Sequence, residues 1–120
     1  MRLRLGLLGA VVVLAVLAPA GARRSGDASA HEQDKVLLDN EHVTVMEVVF
    51  PAGFKGEEHE APVNELAYVL DGRFSVVTKG KGTTVVRKGE VEYAPKGTVH
   101  YSINDTRRPA RVLVVMLKER

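Results

Sequence analysis

GFKGEEHEAPVNELAYVLDG, residues 53–72, is the stretch on which the reading of this chain turns. Within residues 56–65 it gathers four glutamates and one of the chain's four histidines. A segment that only packs a core has no use for that many ionisable groups. Residues two apart on a strand share a face, so positions 59 and 61 point the same way and Glu58 and Glu60 the other. His59 and position 61 therefore face one way, with Glu58 and Glu60 on the solvent side. Glu57 shares the parity of His59 and is a further candidate for turning inward.

Working outward, the flanking sequence alternates short β-favouring runs with turn residues. The runs cover residues 35–38, 42–50, 65–70, 73–78, 83–88, 90–95, 100–104 and 110–118. About eight short strands and no useful helical period imply an all-β sandwich or barrel. Asp71-Gly72 between two apolar runs predicts a hairpin, and KGKG, residues 79–82, predicts another. KGKGTT lacks the spacing of a phosphate-binding loop and lies between strands, which excludes that role. Pro51, Pro62, Pro95 and Pro109 fall at run ends or in loops, where strands tolerate them.

The last run, RVLVVMLK, is apolar on both faces: Val112, Val114 and Met116 on one, Leu113, Val115 and Leu117 on the other. A strand with one solvated face needs only one apolar side. The second face calls for another layer of this chain or for a second subunit, so a homodimer is expected.

The chain has 120 residues, 45% of them hydrophobic, which suits one ordinary domain. Its amino end, MRLRLGLLGAVVVLAVLAPAGARRSG, has Arg2 and Arg4, an uncharged apolar run and the sequence Ala20-Gly21-Ala22. These are the three parts of a secretory signal, whose apolar run is expected as a helix preceding the barrel. The expected organisation is a signal peptide over residues 1–22, a polar flexible linker over 23–34 that contains a solvated His31, and a domain over 35–118. Export to the periplasm or the outside follows, with membrane attachment only if the leader stays uncleaved. Apart from Arg2 and Arg4, 15 basic residues face 15 acidic ones. Scattered charge and the absence of Trp exclude nucleic acid as a partner. The absence of cysteine excludes disulfides, thiolate catalysis and cysteine-type zinc sites.

A second spaced set follows the first. GEVEYAPKGTVHYSIN, residues 89–104, places Pro95, Gly97, His100 and Asn104 at fixed intervals after Gly89. The two stretches are separated by 16 residues. Together they resemble the two motifs of the cupin family, G-x5-H-x-H-x3,4-E-x6-G and G-x5-P-x-G-x2-H-x3-N. Every fixed position matches except one: Ala61 stands where the family has its second histidine. The resemblance implies a small double-stranded β-helix, a jelly-roll barrel, with the two motifs on facing strands and His100 closing the site across the barrel. It also implies a divalent metal held by the residues that remain, His59, Glu65 and His100.

Two histidines and a carboxylate are chemically sufficient. They form a face that suits non-haem iron, or zinc with water in the fourth position; iron, manganese, nickel and zinc all fit the donors. Two functions follow from the resemblance. One is an exported enzyme acting on a small organic molecule, by oxygenation or by isomerase or lyase chemistry on a sugar acid, with Tyr93 or Glu57 as candidate acid or base. The other is a non-catalytic module that holds a small ligand such as a sugar, its metal site weakened or lost at Ala61. Phe74, Val76 and Tyr93 are expected in the core or pocket wall.

Overall fold

The computed structural model describes residues 31–119. The expected signal peptide, its apolar helix and most of the linker lie outside the described residues. Nine strands follow one another: β1 (Gln33–Asp39), β2 (Val43–Phe50), β3 (His59–Glu60), β4 (Asn64–Asp71), β5 (Arg73–Thr78), β6 (Gly82–Arg87), β7 (Val91–Ala94), β8 (Val99–Ile103) and β9 (Ala110–Leu117). The expected all-β architecture is present. The additional strand, β3, is too short to show in a hydrophobic pattern. β1 begins at Gln33, within the stretch read as linker.

The strands form two antiparallel sheets, one ordered β1-β2-β9-β4-β7 and the other β3-β8-β5-β6. Alternation decides what lies between them. Thr44, Met46, Val48 and Phe50 of β2 are buried, and so are Ala110, Val112, Val114 and Met116 of β9. They meet Phe74, Val76 and Val86 of the second sheet in one core. Phe50 stacks on Phe54 with ring centroids 5.0 Å apart and packs on Phe74 at 5.2 Å. Such pairs contribute roughly 0.5–1.5 kcal/mol each beyond the area they bury.

Three local expectations are corrected. Asp71-Gly72 is not a hairpin. β4 pairs with β7 and β9, and β5 pairs with β6 and β8, so the chain changes sheet at Gly72. Gly72 has φ +74°, and a Cβ there would lie 2.5 Å from the carbonyl oxygen of Pro109. The glycine serves a tight corner rather than a hairpin. KGKG does make its hairpin, with Thr78 opposite Gly82. Tyr93 is not pocket wall: it is 52% exposed on the outer face of β7. His31 is half-buried and its Nε2 is shielded from solvent, because the segment entering β1 lies against the barrel.

Asn104, the last residue of the second motif, is fully buried and structural. Its Nδ2 donates to the carbonyls of Phe50, at 2.9 Å, and Arg108, at 2.8 Å. Its Oδ1 accepts from the Thr106 amide and hydroxyl. This satisfies the side chain and ties the β8–β9 connection to the end of β2.

The outer face of the larger sheet is apolar, as the two-sided pattern of β9 implied. Register aligns Val45, Val115, Leu66 and Tyr93 in one row, and Glu47, Leu113, Tyr68 and Val91 in the next. Glu47 is neutralised by Arg111 at 3.1 Å.

Two glycine substitutions test the corner. Gly97 also has positive φ, +90°, but a Cβ there meets nothing within 4 Å. Gly97→Ala is expected to cost only the backbone penalty, about 1–2 kcal/mol. Gly72→Ala carries that penalty and a backbone clash that no rotamer relieves, so its urea midpoint falls well below that of Gly97→Ala.

Candidate metal centre

β3 and β8 run antiparallel, and His59 lies directly opposite His100. This corrects the expected arrangement: His100 is the neighbour of His59 on one sheet rather than its counterpart across the barrel. The imidazole centroids are 4.8 Å apart in an edge-on arrangement. Glu65, second residue of β4, comes from the other sheet and supplies the bridge between layers. Its Oε2 is 3.4 Å from His100 Nε2, and both side chains are about nine-tenths buried. One donor atom from each of His59, Glu65 and His100 lies within 4.8 Å of the others. The structure thus brings together the three residues singled out in the sequence.

The donor set fits a cation on two further observations. His59 Nδ1 is 3.0 Å from the Glu57 carbonyl. A carbonyl can only accept, so Nδ1 carries the proton and Nε2 keeps its lone pair. His100 Nδ1 is buried with no hydrogen-bond partner. Its other nitrogen, Nε2, faces the Glu65 carboxylate, and a nine-tenths buried carboxylate against an imidazole is costly without a proton or an ion to compensate.

The other motif residues divide as expected. Glu58 and Glu60 are exposed, and Ala61 is 1% exposed. Ala61 is held by backbone bonds, its amide to Thr98 and its carbonyl from Gly97. Glu57 lines the same cavity but is exposed, and its carboxylate is outside the donor group. Its observed contribution is the carbonyl that orients His59. Tyr93, on the outer face, cannot serve the site as acid or base.

The donors open onto a cavity of about 60 Å³ (the space open to a water's centre), room for several waters. Its walls are largely apolar, with Phe50, Phe54, Phe74 and Val76 among them. Two carboxyls in it were not singled out from the sequence. Glu92 of β7 is opposite Ala67 of β4 and projects inward. Burial holds its carboxyl above the ordinary 4.5; the charge of His100 opposes this and that of Glu65 adds to it. Glu32, just before β1, also lines the cavity, and burial together with nearby Asp34 pushes it up to about 9. Alternation in EVEYAP is the signal that would have found Glu92, which shares the parity of buried Ala94. Nothing in the polar stretch around Glu32 distinguished it.

A barrel of two antiparallel sheets with a His–Glu–His group inside it defines the jelly-roll class to which the cupins belong. The chain is a member of the cupin family: the Cupin domain family matches residues 46–116. Solved structures agree on the fold. A cupin domain from Bordetella pertussis Tohama I has a TM-score of 0.63 at 23% identity, covering 73% of this chain and 94% of that one. KdgF from a Halomonas species has 0.67 at 20%, covering 85% and 94%. The DMSP lyase DddQ from Ruegeria pomeroyi DSS-3 has 0.71 at 21%, covering 86% and 55%. No curated protein matches this chain.

The raised pKa of Glu92 gives a signed expectation. Its folded-state proton affinity exceeds the unfolded one, so ionising it costs stability as pH rises above 4.5. Glu92→Gln removes that cost. The metal-free variant should melt above wild type at neutral pH, and the difference should shrink as pH falls through 4.5 and vanish well below it, where the carboxyl is protonated in both states.

Proposed function

We propose that this cupin binds one divalent metal ion through His59, Glu65 and His100 and acts on a small organic molecule held in the adjoining cavity. The observation that carries the reading is the convergence of two imidazoles and a buried carboxylate at the wall of an apolar cavity. When bound, such an ion supplies Lewis-acid polarisation and an activated water or substrate oxygen. The chain supplies the rest. The Glu57 carbonyl fixes the ring of His59, the Phe50–Phe54–Phe74 wall excludes water, and Glu92 is placed to hold or release a proton inside the cavity. Oxygenation and lyase or isomerase chemistry both fit this arrangement. The similarity to a protein named as a lyase is one of fold alone.

Metal analysis tests it. Purified wild type should retain close to one equivalent of iron, manganese, nickel or zinc, and His59→Ala and His100→Ala should lose most of it. Equally low metal in all three would leave the non-catalytic ligand-binding reading in its place. Ala61→His tests the missing ligand separately: a large gain in affinity means that the native site is weakened by Ala61.

Two expectations about the chain's setting extend the proposal. The apolar outer face, on which Glu47 is paired with Arg111, suits a second copy of the same face. Light scattering should give a dimer, and Val115→Glu in the middle of that face should give a monomer. The leader sequence supports export, in which case the amino terminus of the mature protein begins near Arg23.

A further inference from the structure

One wall of the cavity comes from the segment that enters β1, which supplies none of the candidate ligands. β1 is the outer strand of its sheet and is bonded to β2 alone. Its register sets Asp34 opposite Val48, which is 1% exposed. Residues directly opposite in such a pair share a face, so Asp34 points into the barrel. Glu32, two residues earlier, has the same parity and lines the cavity. Glu32 Oε2 and Asp34 Oδ1 are shielded from solvent, and among the described residues no donor reaches either. The two carboxyls are within hydrogen-bonding reach of each other.

An ionised carboxylate only accepts hydrogen bonds. Two of them in contact away from water either share a proton or repel. Among the described residues neither lysine nor arginine lines the cavity to offset a second charge. The other ionisable groups around it are Glu57, His59 on β3, Glu65 on β4, Glu92 on β7 and His100 on β8, while β2, β5 and β9 present only valine and phenylalanine. His31 adjoins Glu32 in the chain. Of the charged groups Asp34 alone acts on Glu32, by hydrogen bond and by charge, and the pair titrates as a unit.

We propose that residues 31–34 form a strap over the cavity, latched by one proton shared between Glu32 and Asp34, and that loss of this proton lets the strap lift. Lifting removes one wall of the cavity and leaves the other strands paired, because no strand except β2 is bonded to β1. The device does not depend on a metal in the site. Its direction with pH follows from where the proton is held more tightly. In the docked strap burial, with Asp34 adding to it, raises Glu32 to about 9, against an ordinary 4.5 once lifted. Docking is therefore firmest below pH 4.5 and weakens as pH rises toward about 9, the opening constant growing by up to about tenfold per pH unit.

Hydrogen exchange of the 33–36 amides in the metal-free protein reads the opening, with protection taken relative to the unstructured chain at each pH. Between pH 6 and pH 8 wild-type protection should fall by at least about tenfold. Glu32→Gln supplies an amide that donates to Asp34 and carries no titrating proton. Its protection should change by less than about twofold over the same range. Asp34→Asn should also flatten the slope. Protection of Val114, on a strand bonded on both sides, reports that each variant is folded. Wild-type protection that does not change with pH, a slope unaltered in both variants, or no protection at pH 6 overturns the proposal.

Discussion

The pairing of β9 with both β2 and β4 is the constraint on which the rest of this structure depends. The last strand of the chain is the middle strand of its larger sheet. Eight residue pairs join it to β2, from Val43–Leu117 to Phe50–Ala110, and a second ladder joins it to β4. Until β9 is in place, β1-β2 and β4-β7 are separate two-stranded pieces, and such pieces are marginal alone. The ladder to β4 also sets the register of Glu65, which lies opposite Met116. One carboxylate of the candidate metal centre is therefore positioned by the carboxyl-terminal end of the chain. Contacts of such long sequence separation are characteristic of slowly folding β topologies.

Much of this was legible in the sequence, for identifiable reasons. Alternation in residues 42–50 and 110–118 has a period of two, and the inward and outward sets follow from it directly. The donor group of His59, Glu65 and His100 came from the resemblance of two spaced motifs to the cupin family, and the fold brings those three residues together. Asp71-Gly72 misled because a turn dipeptide encodes a local bend and says nothing about which sheet receives the next strand. The close approach of Pro109 to Gly72 depends on a residue 37 positions away. The lateral relation of His59 to His100 was hidden for a similar reason. A two-residue strand has no periodicity to read, and its partner is chosen by the surrounding backbone ladder.

Glu32 and Glu92 show a different limit. Each is an ordinary acidic residue in a polar context, and its meaning comes from which surface the fold gives it. Glu92 sits one strand away from Glu65 across the sheet, in the row of buried Ala67. The barrel thus concentrates acidity where its interior would otherwise be hydrocarbon. Three phenylalanines and several valines provide enough packing for the fold to carry that cost. A cavity whose own charges oppose its stability is an expected mark of a site kept for binding.

The segment carrying His59 touches the barrel in an uneven way. From Gly53 to Ala61 it follows β8, bonded through Asn104, Ser102 and Thr98, with a single bridge between Lys55 and Ile103 and only two paired residues in β3. It is the outer edge of its sheet, whereas Glu65 and His100 lie on strands bonded on both sides. One wall of the site therefore rests on an edge held by few backbone bonds, and the other two rest on strands bonded on both sides. Sparse backbone bonding at an edge is where local opening costs least, so His59 is the donor whose position depends least on the global stability of the domain.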